Sequence, residues 1–549
     1  MFSILNAAWY VGTAVLYAVG AITLVALYHF VPIVYRSFTS PLRNLQGPPS
    51  SSLVFGHFKA IGKAENSVLQ EEWEQKYGST LAYRELFGTP RLWTTDTRAL
   101  NHMLTHSMDF QKPASTQYHL RRVVGPGVLV AEAEQHRNQR RTLNPAFGPA
   151  QIREFTDIFV EKSIELRDTW SNEIANAGGK SAEVDVLAWL GRATLDIIGL
   201  AGFNYEFESM NPDGRVNELN QAFHTMFSSP QTAAQRMFMF MQGMFPPLRI
   251  VSSARDRRAA VAQAVMRRIG LQLIADKKAA ILAETRGAGH GVEKKDVSGR
   301  DLLTLLIKAN MAVDVPESQR LTDEEVLAQV PSFIVAGHET TSTGTMWTLF
   351  SLAQHPEIQR KLRDELLQVS TDSPTMDELN ALPYLDMVVK EALRYHSPVP
   401  MTSRTAVRDC IVPVGTPYTD RHGNVCDNIH VGKGDVVSIP ILATNRKKEL
   451  WGEDAHEFRP ERWLHPPEAI STIPGVWGNQ LSFLGGPRSC IGYRFSLVET
   501  KALLFTLLRA FEFELAVKPE MIAKKSTIVQ RPVVNGKTQM PLIIRPVRG

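Results

Sequence analysis

From residue 1 to residue 35 the chain carries no Lys, Arg, Asp or Glu. A charge-free stretch of that length must be buried in protein or placed in lipid. Residues 7–34 are apolar, and a helix of roughly 20 apolar residues crosses a bilayer. Trp9, Tyr10, Tyr28 and Tyr35 stand towards its ends, as aromatic side chains do at membrane–water interfaces. A cleaved secretory leader would begin with basic residues and have a shorter apolar core; this segment has neither. The expectation is a retained, single-span anchor. Arg36 and Arg43 follow it, so the positive-inside rule places the rest of the chain on the cytosolic side. Pro48 and Pro49 then stop helix continuation. Residues 1–45 read as anchor and hinge, and residues 46–549 as one folded body.

That body is mainly α with small β-sheets. Helical periodicity is visible over 67–77 and dominates from 135 to 369. Short strands are expected at 80–87 and 91–95 around Gly88-Thr89-Pro90, and again between 405 and 439. The polar, Gly-rich stretch 286–300 reads as a surface loop. A last long helix follows Cys490 and runs to about residue 510. Charged residues make up 21% of the chain, with a net charge of +4 and no long basic run, which argues against nucleic acid as a partner. Three cysteines (Cys410, Cys426 and Cys490) give no disulfide framework and fit a reducing compartment.

Cys490 is the one cysteine with a setting. It ends Phe483-Leu484-Gly485-Gly486-Pro487-Arg488-Ser489-Cys490-Ile491-Gly492, a rigid turn that leads into an apolar helix. A cysteine near a helix N-terminus, with a cation beside it, is expected to have a lowered pKa. A thiolate held in this way suits a soft or borderline metal, iron in haem among them. The run matches Phe-x-x-Gly-x-Arg-x-Cys-x-Gly at every fixed position. It resembles the haem-binding signature of the cytochrome P450 monooxygenases. The resemblance implies haem b, with Cys490 as axial ligand, Arg488 on a haem propionate and Phe483 packed beside the thiolate. The catalytic domain would be residues 46–549, a haem-thiolate fold behind a transmembrane helix. Inert thiols are expected at Cys410 and Cys426.

Ala336-Gly337-His338-Glu339-Thr340-Thr341 lies in a helix expected to start at Thr322, where Thr322 and Glu325 have capping-box spacing. Small residues at 336 and 337 would leave room for a diatomic ligand. Glu339 and Thr340 would put an acid and an alcohol beside that gap, a sensible pair for proton delivery. The run resembles the family's oxygen-activation motif at Gly337, Glu339 and Thr340. Pro331 either kinks this helix near Val330 or marks its effective start.

Glu391-Ala392-Leu393-Arg394 places two charges on one helix face. With Arg462, in Phe458-Arg459-Pro460-Glu461-Arg462-Trp463, it resembles the family's buried Glu–Arg–Arg network. His136 and Arg140 stand where the family's propionate-binding helix has Trp and Arg, and Arg404 resembles a further propionate arginine. Arg137 and Arg141 either form a solvated face or meet an acidic redox partner.

No Gly-rich dinucleotide fingerprint follows a strand, so electrons must come from outside. The resemblance implies an NADPH-dependent flavoprotein reductase in the same endoplasmic reticulum membrane, with O2 as co-substrate. Residues 223–248, rich in Met and Phe, suit either a pliable apolar lid or core packing. The substrate pocket is expected from 118–129, 333–336 and 399–402. It would take a lipophilic small molecule, of terpenoid, steroid or fatty-acid type, in fungal secondary metabolism. Two other functions stay open at this point. One is a haem-thiolate isomerase or dehydratase, disfavoured by Glu339-Thr340; the other is a non-catalytic haem binder.

Overall fold

A computed structural model describes residues 2–50, 52–211, 218, 233–252, 254–288, 301–311, 316, 320–526 and 528–547. The charge-free N-terminus is one helix, Phe2–Thr39, with Pro32 inside it. Its Gly12–Thr39 part is long and apolar enough to span a membrane, and its apolar window lies outside the protein core. Helix Val186–Phe203 passes the same length test, but it is largely buried and is a core helix. The anchor helix is tied to the body at its end. Ser40 Oγ donates to Asp435 Oδ2 at 2.8 Å, and Arg36 Nη1 donates to the Gly434 carbonyl at 3.3 Å. Phe30 meets Phe87 edge-on at 5.1 Å and stacks on Phe245 at 6.4 Å.

The largest sheet has five strands in the order Thr80–Arg84, Pro90–Thr94, Val436–Ile439, Thr402–Ala406, Phe110–Gln111. Its one parallel pair joins Pro90–Thr94 to Val436–Ile439. This sheet lies beside the end of the anchor and carries Arg404. The remaining sheets are small and include the Ala523–Ser526 and Gln530–Val534 pair near the C-terminus.

Helices make the bulk. The spine is Gln329–Gln354, buried without interruption from Thr341 to Leu352. It packs on Val186–Phe203, and on Tyr493–Ala510 behind the cysteine loop. Thr, Ser and Gly fill much of its buried half, which lets neighbouring helices approach closely. The core around it includes Trp347, Leu349, Ile197, Phe159 and Phe505, each essentially inaccessible.

The capping box at Thr322 and Glu325 forms as expected, but it heads a separate short helix, Asp323–Leu327. Ala328 joins it to the spine, which starts at Gln329, and keeps helical dihedrals at this junction (φ −66°, ψ −16°). Pro331 therefore sits in the first turn of a new helix, where its missing N–H costs no hydrogen bond. A second boundary differs. The helix Ala254–Ala288 takes in residues 286–288 of the expected loop, and 289–300 lie outside the described residues.

Of the Met- and Phe-rich segment, helix Ala233–Met244 and the turn Pro246–Ile250 are described. Phe223, Met226 and Phe227 lie outside the described residues. The described part is half-buried rather than core. Phe240 packs on Phe58 at 5.0 Å, and Arg249 lies over the Tyr118 ring at 4.0 Å.

Candidate active site

The cysteine loop is held by its own backbone. Cys490 N donates to the Phe483 carbonyl at 2.8 Å, closing the turn. Gly486 has φ +69°, a conformation that favours glycine. A Cβ on Gly485 would lie 1.6 Å from the Pro474 carbonyl oxygen, so only glycine fits. Phe483 is buried and meets Trp477 edge-on at 5.7 Å.

Two expectations about Cys490 change. Its thiol does not have a lowered pKa in this chain alone. The side chain keeps accessible surface, but it sits in a recess, and burial pushes the thiol up against the opposing pull of the Gly492 N–H and of Arg140. The nearby cation is also not Arg488. Arg488 turns away, donating to the Ala131 carbonyl at 2.7 Å and pairing with Glu132. Arg140 takes the place instead. It donates to the Ser489 carbonyl at 2.6 Å and to Asn144 Oδ1 at 2.8 Å. Its guanidinium is thus taken up by the cysteine loop.

Arg404 and Arg488 belong to a buried basic cluster. Burial lowers each of them to about 10. Arg404 donates to the Ser403 carbonyl at 2.8 Å and to Thr402 Oγ1 at 3.1 Å. Lys112, 3.5 Å from Glu132, has its pKa pushed far down by burial, with Arg488 and Arg404 adding to the effect. His136 is buried beside it. Burial first, then Lys112 and Arg140, push it to about 4, so its ring is neutral. Lys112 and Glu132 carry no signal in the sequence, where neither has a motif around it. Among the ion pairs described, Glu132 is the one carboxylate here, paired with Arg488 and Lys112, while Arg404 bonds only to a carbonyl and a hydroxyl. Such a surplus of buried donors is costly by itself and fits a group bearing two carboxylates. The donor set therefore fits a haem with its propionates.

The spine helix brings the other motif. Thr341 Oγ1 donates to Ser496 Oγ at 3.1 Å, which fastens it to the helix behind Cys490. Ala336 is exposed, with half-buried residues on either side of it, so the wall opens there. Gly337 does not contribute to that opening: a Cβ on it would lie 3.0 Å from Ile198, so it serves close packing on Val186–Phe203. Thr340 Oγ1 donates to the Ala336 carbonyl at 2.6 Å. Glu339 pairs with Arg531, a residue without any sequence signal. His338 Nδ1 lies 2.8 Å from the Ile334 carbonyl and Nε2 lies 3.6 Å from Glu339 Oε1.

The network of Glu391, Arg394 and Arg462 is assembled and almost inaccessible. Arg394 meets Glu391 with both forks at 2.8 and 2.9 Å, and also donates to the carbonyls of Asn445, Ala455 and Glu457. Asp454 pairs with Arg462, and Trp463 Nε1 donates to Glu391 Oε2 at 3.1 Å; both are additions to the expected set. Arg137 faces outward and pairs with Glu134 at 2.9 Å, and Arg141 is exposed.

A family model described as cytochrome P450 matches residues 46–538. The chain belongs to the cytochrome P450 family. Cytochrome P450 monooxygenase 205 of Postia placenta is 57% identical, over 95% of this chain and 96% of that protein. Cytochrome P450 monooxygenase claW of Ampulloclitocybe clavipes is 35% identical, over 93% and 94%. The ganoderic acid synthetase of Ganoderma lucidum is 33% identical, over 95% and 97%. The chain is thus a fungal-type P450 monooxygenase, an oxidoreductase of a family that carries haem iron, with an N-terminal helix able to span a membrane. Substrates of the family are generally lipophilic, and its electrons come from a redox partner.

Proposed function

We propose that this chain hydroxylates a lipophilic secondary metabolite, terpenoid in class, at the endoplasmic reticulum membrane. Residues 46–549 form the catalytic domain on the cytosolic face, and a separate NADPH-dependent flavoprotein reductase supplies two electrons per turnover. One oxygen atom enters the C–H bond of the substrate. The other leaves as water with the two electrons and two protons. A relative named ganoderic acid synthetase supports secondary metabolism, and the half-buried Met and Phe surface over residues 237–245 supports an apolar substrate.

The cofactor is haem b, held through the Cys490 thiolate, which when bound supplies the redox chemistry of dioxygen. Around it each residue has a task. Arg404, Arg488 and His136, with Lys112, bind the propionates. Arg140 fixes the cysteine loop through Ser489, and Phe483 shields the sulfur from water. Glu391, Arg394 and Arg462 hold the core behind the loop. Glu339 and Thr340 form the proton-delivery pair. The observation that carries the reading is the Thr341–Ser496 hydrogen bond. It fastens the helix that carries the acid–alcohol pair to the helix that begins behind Cys490.

The experiment uses the full-length protein in phospholipid nanodiscs with a flavoprotein reductase, NADPH and isotopically labelled dioxygen. A lipophilic terpenoid set is offered, and products are read by mass spectrometry. One labelled oxygen atom in a product supports the proposal. Product formed without NADPH would replace it by an isomerase or dehydratase reading.

A further inference from the structure

The acid of the proposed pair is already engaged. Glu339 is mostly buried and forms an ion pair with Arg531. Arg531 comes from the strand Gln530–Val534, almost two hundred residues on in sequence. That strand is fixed at the neighbouring residue. Gln530 N donates to the Pro398 carbonyl at 2.7 Å, and the Gln530 carbonyl accepts from Trp347 Nε1 at 2.9 Å. Trp347 lies on the same helix as Glu339. The strand is therefore tied to the spine twice, once through Trp347 and once through the ion pair.

The other neighbour, His338, adds no charge. Burial, with Arg531 adding to it, pushes its pKa to about 4. Arg531 itself is lowered by burial, yet as an arginine it stays protonated. An opposite charge in contact favours the ionised carboxylate, and an ionised carboxylate only accepts hydrogen bonds. Thr340 meanwhile donates its hydroxyl proton to the Ala336 carbonyl. In this arrangement neither member of the pair offers a proton.

We propose that Arg531 is a positioning residue that holds Glu339 towards the Gln530–Val534 strand, so that proton delivery waits on release of this ion pair. The inference rests on the reading of Glu339 and Thr340 as the proton-delivery pair. The C-terminal hairpin thereby becomes a control element for coupling electrons to product, although it carries none of the recognised motifs.

Three variants test it in full-length protein in phospholipid nanodiscs: Arg531→Gln, Arg531→Met and the charge-keeping Arg531→Lys. The first readout is infrared, on resting protein without substrate or reductase. The Glu339 band is identified by subtracting the spectrum of Glu339→Gln. At neutral pH the parent protein should show only the carboxylate stretch. Arg531→Gln and Arg531→Met should move a measurable part of it to the protonated carbonyl band, and Arg531→Lys should restore the carboxylate. The second readout is peroxide released per NADPH consumed. The neutral variants should change it by about threefold or more, with substrate affinity held within about twofold, and Arg531→Lys should reverse the change.

An unchanged infrared band and unchanged peroxide release in a folded neutral variant overturn the role of Arg531, provided Glu339→Gln and Thr340→Ala do uncouple. If Glu339→Gln and Thr340→Ala leave coupling intact, the proton-delivery reading itself fails and takes this inference with it. Using two neutral variants keeps the test decisive if one of them misfolds.

Discussion

Arg140 Nη1 donates to the carbonyl oxygen of Ser489 at 2.6 Å, one residue before Cys490. This bond joins helix Ala133–Leu143 to the loop that presents the sulfur. It is charge-assisted and partly buried, a class worth about 1.5–3 kcal/mol. It also brings a cation that favours the Cys490 thiolate.

Arg140→Ala should therefore leave the fold intact and loosen the loop. We expect lower haem content and a reduced carbonyl spectrum shifted from the thiolate type towards the protonated-thiol type. Arg140→Lys keeps the charge but loses the fork geometry, and should fall between. Haem content and the carbonyl difference spectrum check this. An Arg140→Ala spectrum equal to that of the parent would remove Arg140 from the support of Cys490.

Arg404 makes a prediction of opposite sign in two states. It is buried, its bonds go to a carbonyl and a hydroxyl, and burial lowers it to about 10. Without a carboxylate partner a buried cation destabilises its surroundings, and a well-packed apolar replacement can stabilise by about 1–4 kcal/mol. Arg404→Met should raise the melting temperature of haem-free protein and weaken haem retention. Thermal melts of the haem-free form and the rate of haem transfer to an acceptor protein measure the two effects. A fall in both, or in neither, would refute the assignment of this cluster to propionates.

How much of this was readable beforehand follows from where the information lies. The cysteine loop, the Glu391–Arg394–Arg462 network and the spine helix are written in contiguous motifs, and all three were legible. The directions of side chains were not. Arg488 follows the motif in sequence, but Glu132 pulls it aside. Gly337 reads as a gap, but Ile198 fills the space in front of it. Lys112, Glu132 and Arg531 are single charged residues in unremarkable stretches, brought to the site only by tertiary packing. Pro331 is open to two readings because it follows a junction at Ala328 where a short capped helix meets the spine with the backbone still helical.

The glycines give a paired prediction. At Gly485 a Cβ would collide with backbone, 1.6 Å from the Pro474 carbonyl oxygen. Gly485→Ala should prevent loop closure and yield protein without haem. At Gly337 the obstacle is a side chain, with Ile198 Cδ1 and Cγ1 at 3.0 Å. Gly337→Ala should bind haem and lose about 1–3 kcal/mol through overpacking. Adding Ile198→Val, which removes Cδ1, should recover part of that loss. Denaturant midpoints and haem content check both. Equal behaviour of the two alanine variants would contradict the geometry.

His338 sets a limit on the acid side. Its folded pKa is pushed to about 4 from an ordinary value of 6.5, mainly by burial. Between those values the unfolded chain binds a proton that the folded chain does not, so stability rises with pH in this window. The contribution is complete above about 6.5 and is lost progressively as pH falls towards about 4. At about pH 5 the loss should reach about 2 kcal/mol. His136, also pushed to about 4, should add to the same slope. His338→Gln keeps an amide able to donate to the Ile334 carbonyl and cannot titrate. Its denaturant midpoint should therefore fall less than that of the parent protein between neutral pH and about pH 5. The double variant with His136→Gln should flatten the slope further. If the parent and His338→Gln lose stability in parallel across that window, the histidine is not buried in its neutral form.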